Sequence, residues 1–570
     1  MREGRPRRNR PGRYLPGLAQ LADARDGAPG RDVAAGAAVA IVMVPSVLAY
    51  SELVGVAPEF GLYSALGAMV GYALFASSRK CIVGPDTTVA LLAASAIAPL
   101  AAGDPARAAV LAAALAIMSG LLLVTAARFD LGAAADVLSK PVLVGYANGA
   151  ALILVVSQFA ALIGVPLPRD GIFHTLLEAA VALPRAHLPT LALGIALVAL
   201  LLALRFAAPR APAALVAVIV GIVCAQTLGL AEGGMAMLQP LPSGLPEPSL
   251  PRVALADVRA LVPGAIALAF LIFAESIVLA QTLAAKRREA VDANAELVAL
   301  GVANLASGAL GGYSVGASAS RSITADAAGG RSQLAQWVAI ALLLAFMLWL
   351  APLVGRLPRV ALAAILVVAG VGMLELAATR VLARLDRRSF WLSLAVSAGM
   401  LALGVLPGVL LGIALSVARV MIEMARPGDA VLRRRPNDKH FHDLDDEEAG
   451  ATPPGVIVYR LYAPLVFANA RHVAERLRRL ASRADPATRC LVLDLQAVTH
   501  VDVTAAEVLV ALHDELQGAG VDVRFARANR PLREQLTRWL EGHEIAHERF
   551  FPSAHAAVDD FLKAAAGERR

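Results

Sequence analysis

Gly311-Gly-Tyr-Ser-Val-Gly-Ala-Ser-Ala-Ser-Arg-Ser322 sets a glycine- and serine-rich break, carrying one arginine, inside a strongly apolar sequence. Val83-Gly-Pro-Asp-Thr-Thr88 is its counterpart in the first half of the chain. Each break opens an apolar segment of about a dozen residues, too short to cross a bilayer alone. Paired broken segments at matching places in two halves point to a transporter's binding site. A helix start presents unpaired N–H groups and the positive end of its dipole. Two such starts meeting in mid-membrane would hold an anion. The expectation is a membrane protein that moves one.

The bulk numbers agree. Of 570 residues, 58% are hydrophobic, more than soluble multidomain enzymes carry. Cys81, Cys224 and Cys490 lie far apart, without metal-ligand spacing, so no disulfide framework, metal site or other cofactor is expected. Much of the net charge of +7 sits between Arg2 and Arg13 and in short loops between apolar runs. That is the positive-inside pattern rather than a nucleic-acid footprint. Residues 1–30 read as a disordered, basic, cytoplasmic leader without the apolar run of a secretory signal. No P-loop is present, which argues against ATP-driven pumping.

Fourteen apolar segments are expected, in two sets of seven that enter the membrane from opposite sides. The first set is Asp32–Tyr50, Phe60–Ser77, the short Asp86–Pro99, Ala106–Ala126, Val137–Leu162, Leu188–Arg205 and Leu215–Leu230. The second is Leu261–Ala284, Ala293–Leu310, the short segment from Ser318, Gln333–Leu350, Val360–Leu382, Phe390–Gly404 and Gly408–Met424. Basic residues in alternate loops place both termini in the cytoplasm, at a bacterial-type plasma (inner) membrane. A faint internal echo links Leu138-Ser-Lys-Pro-Val-Leu143 with Leu357-Pro-Arg-Val-Ala-Leu362, the entries to spans 5 and 12. The transport domain is thus read as residues 31–426, followed by a charged linker over 427–454. Alternating strand and helix patterns over 455–570 predict a small cytoplasmic α/β domain.

The chemistry falls on few residues. Arg321 at a membrane helix start costs about 2.5–3.5 kcal/mol unless paired or hydrated. It either attracts an anionic substrate or pairs with Glu275. Ser318 and Ser320 are helix caps or oxyanion donors, and the N–H groups at Ala319 and its neighbours donate to the same point. Glu275, inside an apolar span, is a proton-coupling candidate because desolvation favours the neutral carboxyl. Asp86 suits an N-cap. Ionised, it would compete with an anion for the same N–H groups, and protonation would lift that conflict. Thr87 and Thr88 add hydroxyls there or simply cap. In span 1 the break at Pro45 brings Ser46 and Tyr50 onto one face. Leu279, one turn beyond Glu275, offers no oxygen, so sodium coupling has less support than proton coupling.

In combination and order, several motifs resemble the SulP family of sulfate permeases and related anion transporters. They are Asp32-Val-Ala-Ala-Gly36, Val44-Pro-Ser-Val-Leu-Ala-Tyr50, Pro58-Glu-Phe-Gly-Leu-Tyr-Ser64, Ser78-Arg79, Gly84-Pro85, Asp292-Ala-Asn-Ala-Glu-Leu297, Gly311-Gly312 and Ser320-Arg-Ser322. The resemblance implies an all-α membrane domain built as a 7+7 inverted repeat, with a core and a gate, elevator-like motion and a homodimer. It also implies an anion site at Ser46, Tyr50, Asp86, Ser318, Ser320 and Arg321, with Glu275 beside it. Where the family often has Gln after the span 1 proline, this chain has Ser46. The tail resembles a STAS domain, in which Thr504 matches a position that some soluble relatives phosphorylate. Thr504-x-x-Glu507 also reads as a capping box. The function expected is proton-coupled symport of sulfate or a similar oxyanion. Bicarbonate or C4-dicarboxylate transport, anion exchange, an anion channel and an anion sensor stand as alternatives.

Overall fold

The computed structural model describes residues 29–132, 139–167, 171–208, 211–242, 244–285, 288–435, 438, 440–443, 452–483, 487–539 and 549–567. Residues 1–28 of the expected leader, the first residues of the fifth expected span and residues 436, 437, 439 and 444–451 of the charged linker lie outside these. The chain divides into two compact units, one ending at Ser416 and the other beginning at Val417.

In the first unit, α1 (Pro29–Val54) and α2 (Pro58–Phe75) lead into β1 (Val83–Gly84), α3 (Thr87–Ala101) and α4 (Pro105–Arg128). Then come α5 (Lys140–Ser157), α6 (Phe159–Ile163), α7 (Ile172–Ala182), α8 (Leu188–Ala207) and α9 (Ala213–Thr227). α10 (Leu255–Ala285), α11 (Ala293–Ala309), β2 (Gly316–Ala317), α12 (Ala319–Ala327) and α13 (Leu334–Ala345) follow. α14 (Arg359–Met373), α15 (Leu376–Leu385), α16 (Arg387–Leu403) and α17 (Val405–Ala425) complete the helices of this region. Among the described residues, eight helices are long and apolar enough to cross a membrane. Their outer surfaces leave Ile195, Phe206 and Trp349 exposed, as lipid-facing side chains are.

α3 has 15 residues and α12 has 9. At the helical rise these are about 22 and 14 Å long, short of the hydrocarbon core of roughly 30 Å. The Asp86 side chain accepts from the Thr88 N–H, which fixes where α3 begins. Around these half-length helices, α11 packs against both α2 and α4. The seams are made of small residues: a Cβ on Gly67 would lie 2.6 Å from the Ala306 carbonyl, and one on Gly120 2.7 Å from that of Gly301. Only glycine lets the backbones come so close.

The twelfth expected span, Val360–Leu382, falls within Arg359–Leu385, one of the eight membrane-length helices, and is interrupted within it. α14 stops at Met373, and the Glu375 N–H turns aside to donate to Asn148 Oδ1 at 2.8 Å. α15 beyond it has no buried residue and carries Arg380 and Arg384, which no apolar span accommodates cheaply. α7 lies between the fifth and sixth expected spans, where the pattern gave no element.

The second unit holds a five-stranded sheet in the order β3 (Asp429–Val431), β6 (Val456–Leu461), β7 (Cys490–Asp494), β8 (Asp522–Ala526), β9 (Phe550–Phe551). β4 (Arg433–Arg434) and β5 (Phe441–His442) form a separate pair. β6 to β9 run parallel and β3 is antiparallel at the edge. A parallel strand covered on both faces is apolar throughout, which is why Cys490-Leu-Val-Leu shows no alternation. Leu491 and Leu493 pack with α18 (Ala470–Arg483), α19 (Val503–Gly518) and α20 (Arg530–Trp539). Cys490 and Val492 pack on the other face with α21 (Ala554–Gly567). Part of the expected linker is therefore sheet: Asp429–Val431 pairs with Tyr459–Leu461. The cap of α19 also differs from expectation. Asp502, not Thr504, accepts the Ala505 N–H at 2.8 Å, because Asp is the residue in extended conformation just before the first turn.

Candidate functional site

The two breaks meet. β1 and β2 pair antiparallel, Val83 with Ala317 and Gly84 with Gly316. The pairing extends outward: the Ser318 N–H donates to the Ile82 carbonyl at 3.0 Å, and the Ile82 N–H donates to Ser322 Oγ at 2.9 Å. Extended backbone at membrane depth survives only if each polar group finds a protein partner. Here side chains supply them. Asn304 accepts from the Val315 N–H at 2.9 Å and donates to its carbonyl at 3.0 Å, as a neighbouring strand would. Ser276 Oγ accepts from Ala317 N, and Ser64 Oγ from Tyr313 N. Gln336 accepts from Val83 N at 3.3 Å and donates to the Met69 carbonyl at 2.8 Å.

Arg321 leaves the first turn of α12 and is only 1% exposed. Its Nη2 donates to the Pro85 carbonyl at 2.6 Å, while its Nε, also buried, has no partner. It runs over Gly84, where a Cβ would stand 3.3 Å from Nη2. Asp86, Tyr50 and Tyr313 are its electrostatic neighbours. The Tyr50 hydroxyl interacts in turn with the side chains of Thr87 and Ser46. The Ser46 hydroxyl donates to the Val42 carbonyl at 2.9 Å. Ser46, Tyr50, Asp86, Thr87 and Arg321 thus form one cluster. Ser318 is buried and its hydroxyl does not cap α12, whereas Ala319 and Ser320 are exposed at that helix start.

Glu275 on α10 faces the α3 start. Its Oε2 lies 2.7 Å from Thr88 Oγ1, and Asp86 Oδ2 lies 3.1 Å from the same hydroxyl. Its electrostatic neighbour is Asp86, and no ion pair among the described residues joins it to Arg321. The carboxyl near Arg321 is thus Asp86, which the sequence did not suggest as its partner, and not Glu275. From α5, the Tyr146 hydroxyl donates to the Thr88 carbonyl at 2.9 Å.

Other buried polar groups went unread in the sequence. Glu296, fully buried, accepts from the Tyr72 hydroxyl at 2.7 Å and from the N–H groups of Ser77 and Ser78 at 2.9 and 2.6 Å. Lys80 pairs with Asp326. Asp32 accepts from Arg331 N at 2.6 Å and Ser332 Oγ at 2.7 Å. The available signal was an acid or lysine beside long apolar runs, the same criterion that singled out Glu275. Thr504 lies exposed in the first turn of α19. Among the described residues no group of three or more His, Cys, Asp or Glu could hold a metal ion.

Half-length helices meeting start to start inside a helical membrane domain define a solute transporter of the broken-helix class. The sulfate permease family model matches residues 30–396 and the STAS domain model residues 451–557, and the chain belongs to the sulfate permease family. It is a transporter family, not an enzyme family. The chain is 36% identical over 550 residues to a probable sulfate transporter of Mycobacterium tuberculosis, covering 96% of this chain and 98% of the relative. It is 28% identical over 550 residues to the chloroplastic sulfate transporter 4.1 of Arabidopsis thaliana, covering 93% and 80%. In fold it is similar to the murine Solute Carrier 26 family member A9 anion transporter, with a TM-score of 0.90 at 20% identity over 99% of this chain and 96% of that one. The transmembrane domain of a cyanobacterium bicarbonate transporter, BicA, gives a TM-score of 0.60 at 23% identity over 68% and 97%.

Proposed function

We propose that the protein is a secondary active transporter that brings sulfate or a similar oxyanion across the plasma membrane together with protons. The observation that carries this reading is the β1–β2 junction, which brings the starts of α3 and α12 together with Arg321 between them. The relatives named as sulfate transporters, matched over nearly the whole chain, support sulfate as the first substrate to test. In this reading the anion sits against the exposed N–H groups at Ala319 and Ser320, the α3 start at Thr87, and the Ser46–Tyr50 face of α1. Arg321 holds the local field positive, and Ser318 shapes the turn.

Electrical cost favours coupling. At about −100 mV, importing a dianion opposes the field by roughly 4.6 kcal/mol, and two protons cancel it. Glu275 and Asp86, both beside the Thr88 hydroxyl, are the carboxyls placed to take part in the proton coupling. The fourteen spans in a 7+7 inverted repeat, the elevator motion of a core against a gate, the homodimer and cytoplasmic termini belong to the same proposal. So do the limits 31–426 for the transport domain and 455–570 for the STAS domain. The antiparallel approach of the two breaks is what an inverted repeat would produce.

The test is uptake of labelled sulfate into proteoliposomes under an inward proton gradient. Accumulation that collapses when the gradient is dissipated, and that unlabelled oxyanions inhibit, is the expected result. Uptake indifferent to the gradient, or currents far above carrier rates, would replace this reading with exchange or a channel.

A further inference from the structure

Thr88 has one hydroxyl proton and two carboxyl neighbours. Glu275 Oε2 and Asp86 Oδ2 lie 2.7 and 3.1 Å from the same Oγ1. A hydroxyl donates once, so with both carboxylates ionised one of them would face the oxygen's lone pairs. The geometry is satisfied when one carboxyl is protonated: it donates to Thr88 Oγ1, which donates to the other. The Thr88 side chain is held for this role by its own backbone. Its N–H points to Asp86 Oδ2 at 3.4 Å, and its carbonyl accepts from Tyr146.

We infer that Asp86 and Glu275 bind a single proton between them across the Thr88 hydroxyl, which makes Thr88 the proton-positioning residue of the transporter. The inference rests on the proton-coupled reading above and adds to it a path and a count. Transfer balances simply. The proton on Glu275 Oε2 passes to Thr88 Oγ1 as the Thr88 proton passes to Asp86 Oδ2. One O–H bond forms at Asp86, one is lost at Glu275, and the hydroxyl is regenerated. With the proton on Asp86, the charge that competes for the α3 N–H groups is gone and an anion can be seated. With it on Glu275, Asp86 is ionised and opposes occupancy. The other titratable or charged groups facing this pair are Tyr146 from α5 and, on the Asp86 side, Tyr50 from α1 and Arg321 from α12.

The experiment is the pH profile of labelled sulfate uptake by the full-length protein in proteoliposomes, compared for wild type, Thr88→Ser and Thr88→Val. Wild type and T88S, which keeps the hydroxyl, should respond alike to an inward proton gradient, and T88V should lose the stimulation. A wild type stimulated by the gradient with a T88V profile superimposable on it overturns the inference alone. A wild type that ignores the gradient removes the proton-coupled reading and the inference with it. Should T88V fail to reach the membrane, Asp86→Asn decides. A shared proton requires D86N to shift the midpoint of the profile, and a D86N midpoint equal to that of wild type overturns the pair.

Discussion

Arg321 Nη2 donates to the carbonyl of Pro85 at 2.6 Å, so the arginine of one broken segment is held by the main chain of the other. The bond leaves the guanidinium plane lying over Gly84, with its Nε unpartnered. An ammonium has neither that planar fork nor its spread of donors. Arg321→Lys should therefore reduce sulfate uptake by about tenfold or more, the equivalent of losing one hydrogen bond to a charged group. Initial rates in proteoliposomes at matched protein density would measure it. Wild-type rates would show that charge alone suffices.

Gly312 is enclosed. A Cβ there would stand 2.5 Å from Ser64 Oγ and 2.7 Å from Ser307 Oγ, both of which hold Tyr313 in place. Gly312→Ala should lower the stability of the membrane domain by about 1–3 kcal/mol through overpacking. Thermal unfolding in detergent would register the loss, and an unchanged melting temperature would contradict the packing described.

Glu275 is the carboxyl on the opposite side of Thr88 from the helix start. Glu275→Gln keeps the shape and a hydrogen-bonding oxygen but cannot exchange a proton. Gradient-driven sulfate uptake should be abolished, while exchange of labelled for unlabelled sulfate at equal pH continues. Retained acceleration by an inward proton gradient would remove Glu275 from the coupling role.

Glu296 receives three donors. Glu296→Met, similar in volume, removes the acceptors and leaves the Ser77 and Ser78 N–H groups without a partner. The expected penalty is about 1–3 kcal/mol for a buried group left unsatisfied. It should appear as a lower melting temperature with the pH profile of transport unmoved, which separates this buried acid from Glu275.

In the second unit, burial, with the charge of Asp522 next, pushes the Cys490 thiol up to about 12. The thiolate is the reactive form, and at neutral pH almost none is present. Cys490 should resist alkylation in the folded protein and react fully once it is denatured, as peptide mass analysis would show. Labelling at neutral pH without denaturant would mean that β7 is not held in the sheet.

The sequence carried far where local chemistry and periodicity were decisive. Asp86 as cap of a truncated helix, the arginine in the second break, and the helix Ala470–Arg483 could be read because each depends on neighbours in the chain. The two-residue pairing of Val83 with Ala317 could not, since its partners lie far apart in sequence and neither stretch has strand composition. The same holds for Asn304, whose side chain stands in for a missing strand beside Val315. Thr88 reads equally as a site hydroxyl or a simple cap, because nothing local says that Glu275, on another helix, shares its hydroxyl. The Thr504 cap was misread for the opposite reason. A local motif fitted, but Asp502 two residues earlier fitted better.

Asn304 has one further consequence. Because an amide on a rigid helix, rather than a flexible loop, clasps both main-chain groups of Val315, the spacing between the two helix tips is set like the jaws of a fixed calliper. If an anion is seated at the junction as proposed, its size would be judged against main-chain geometry that Asn304 holds in place.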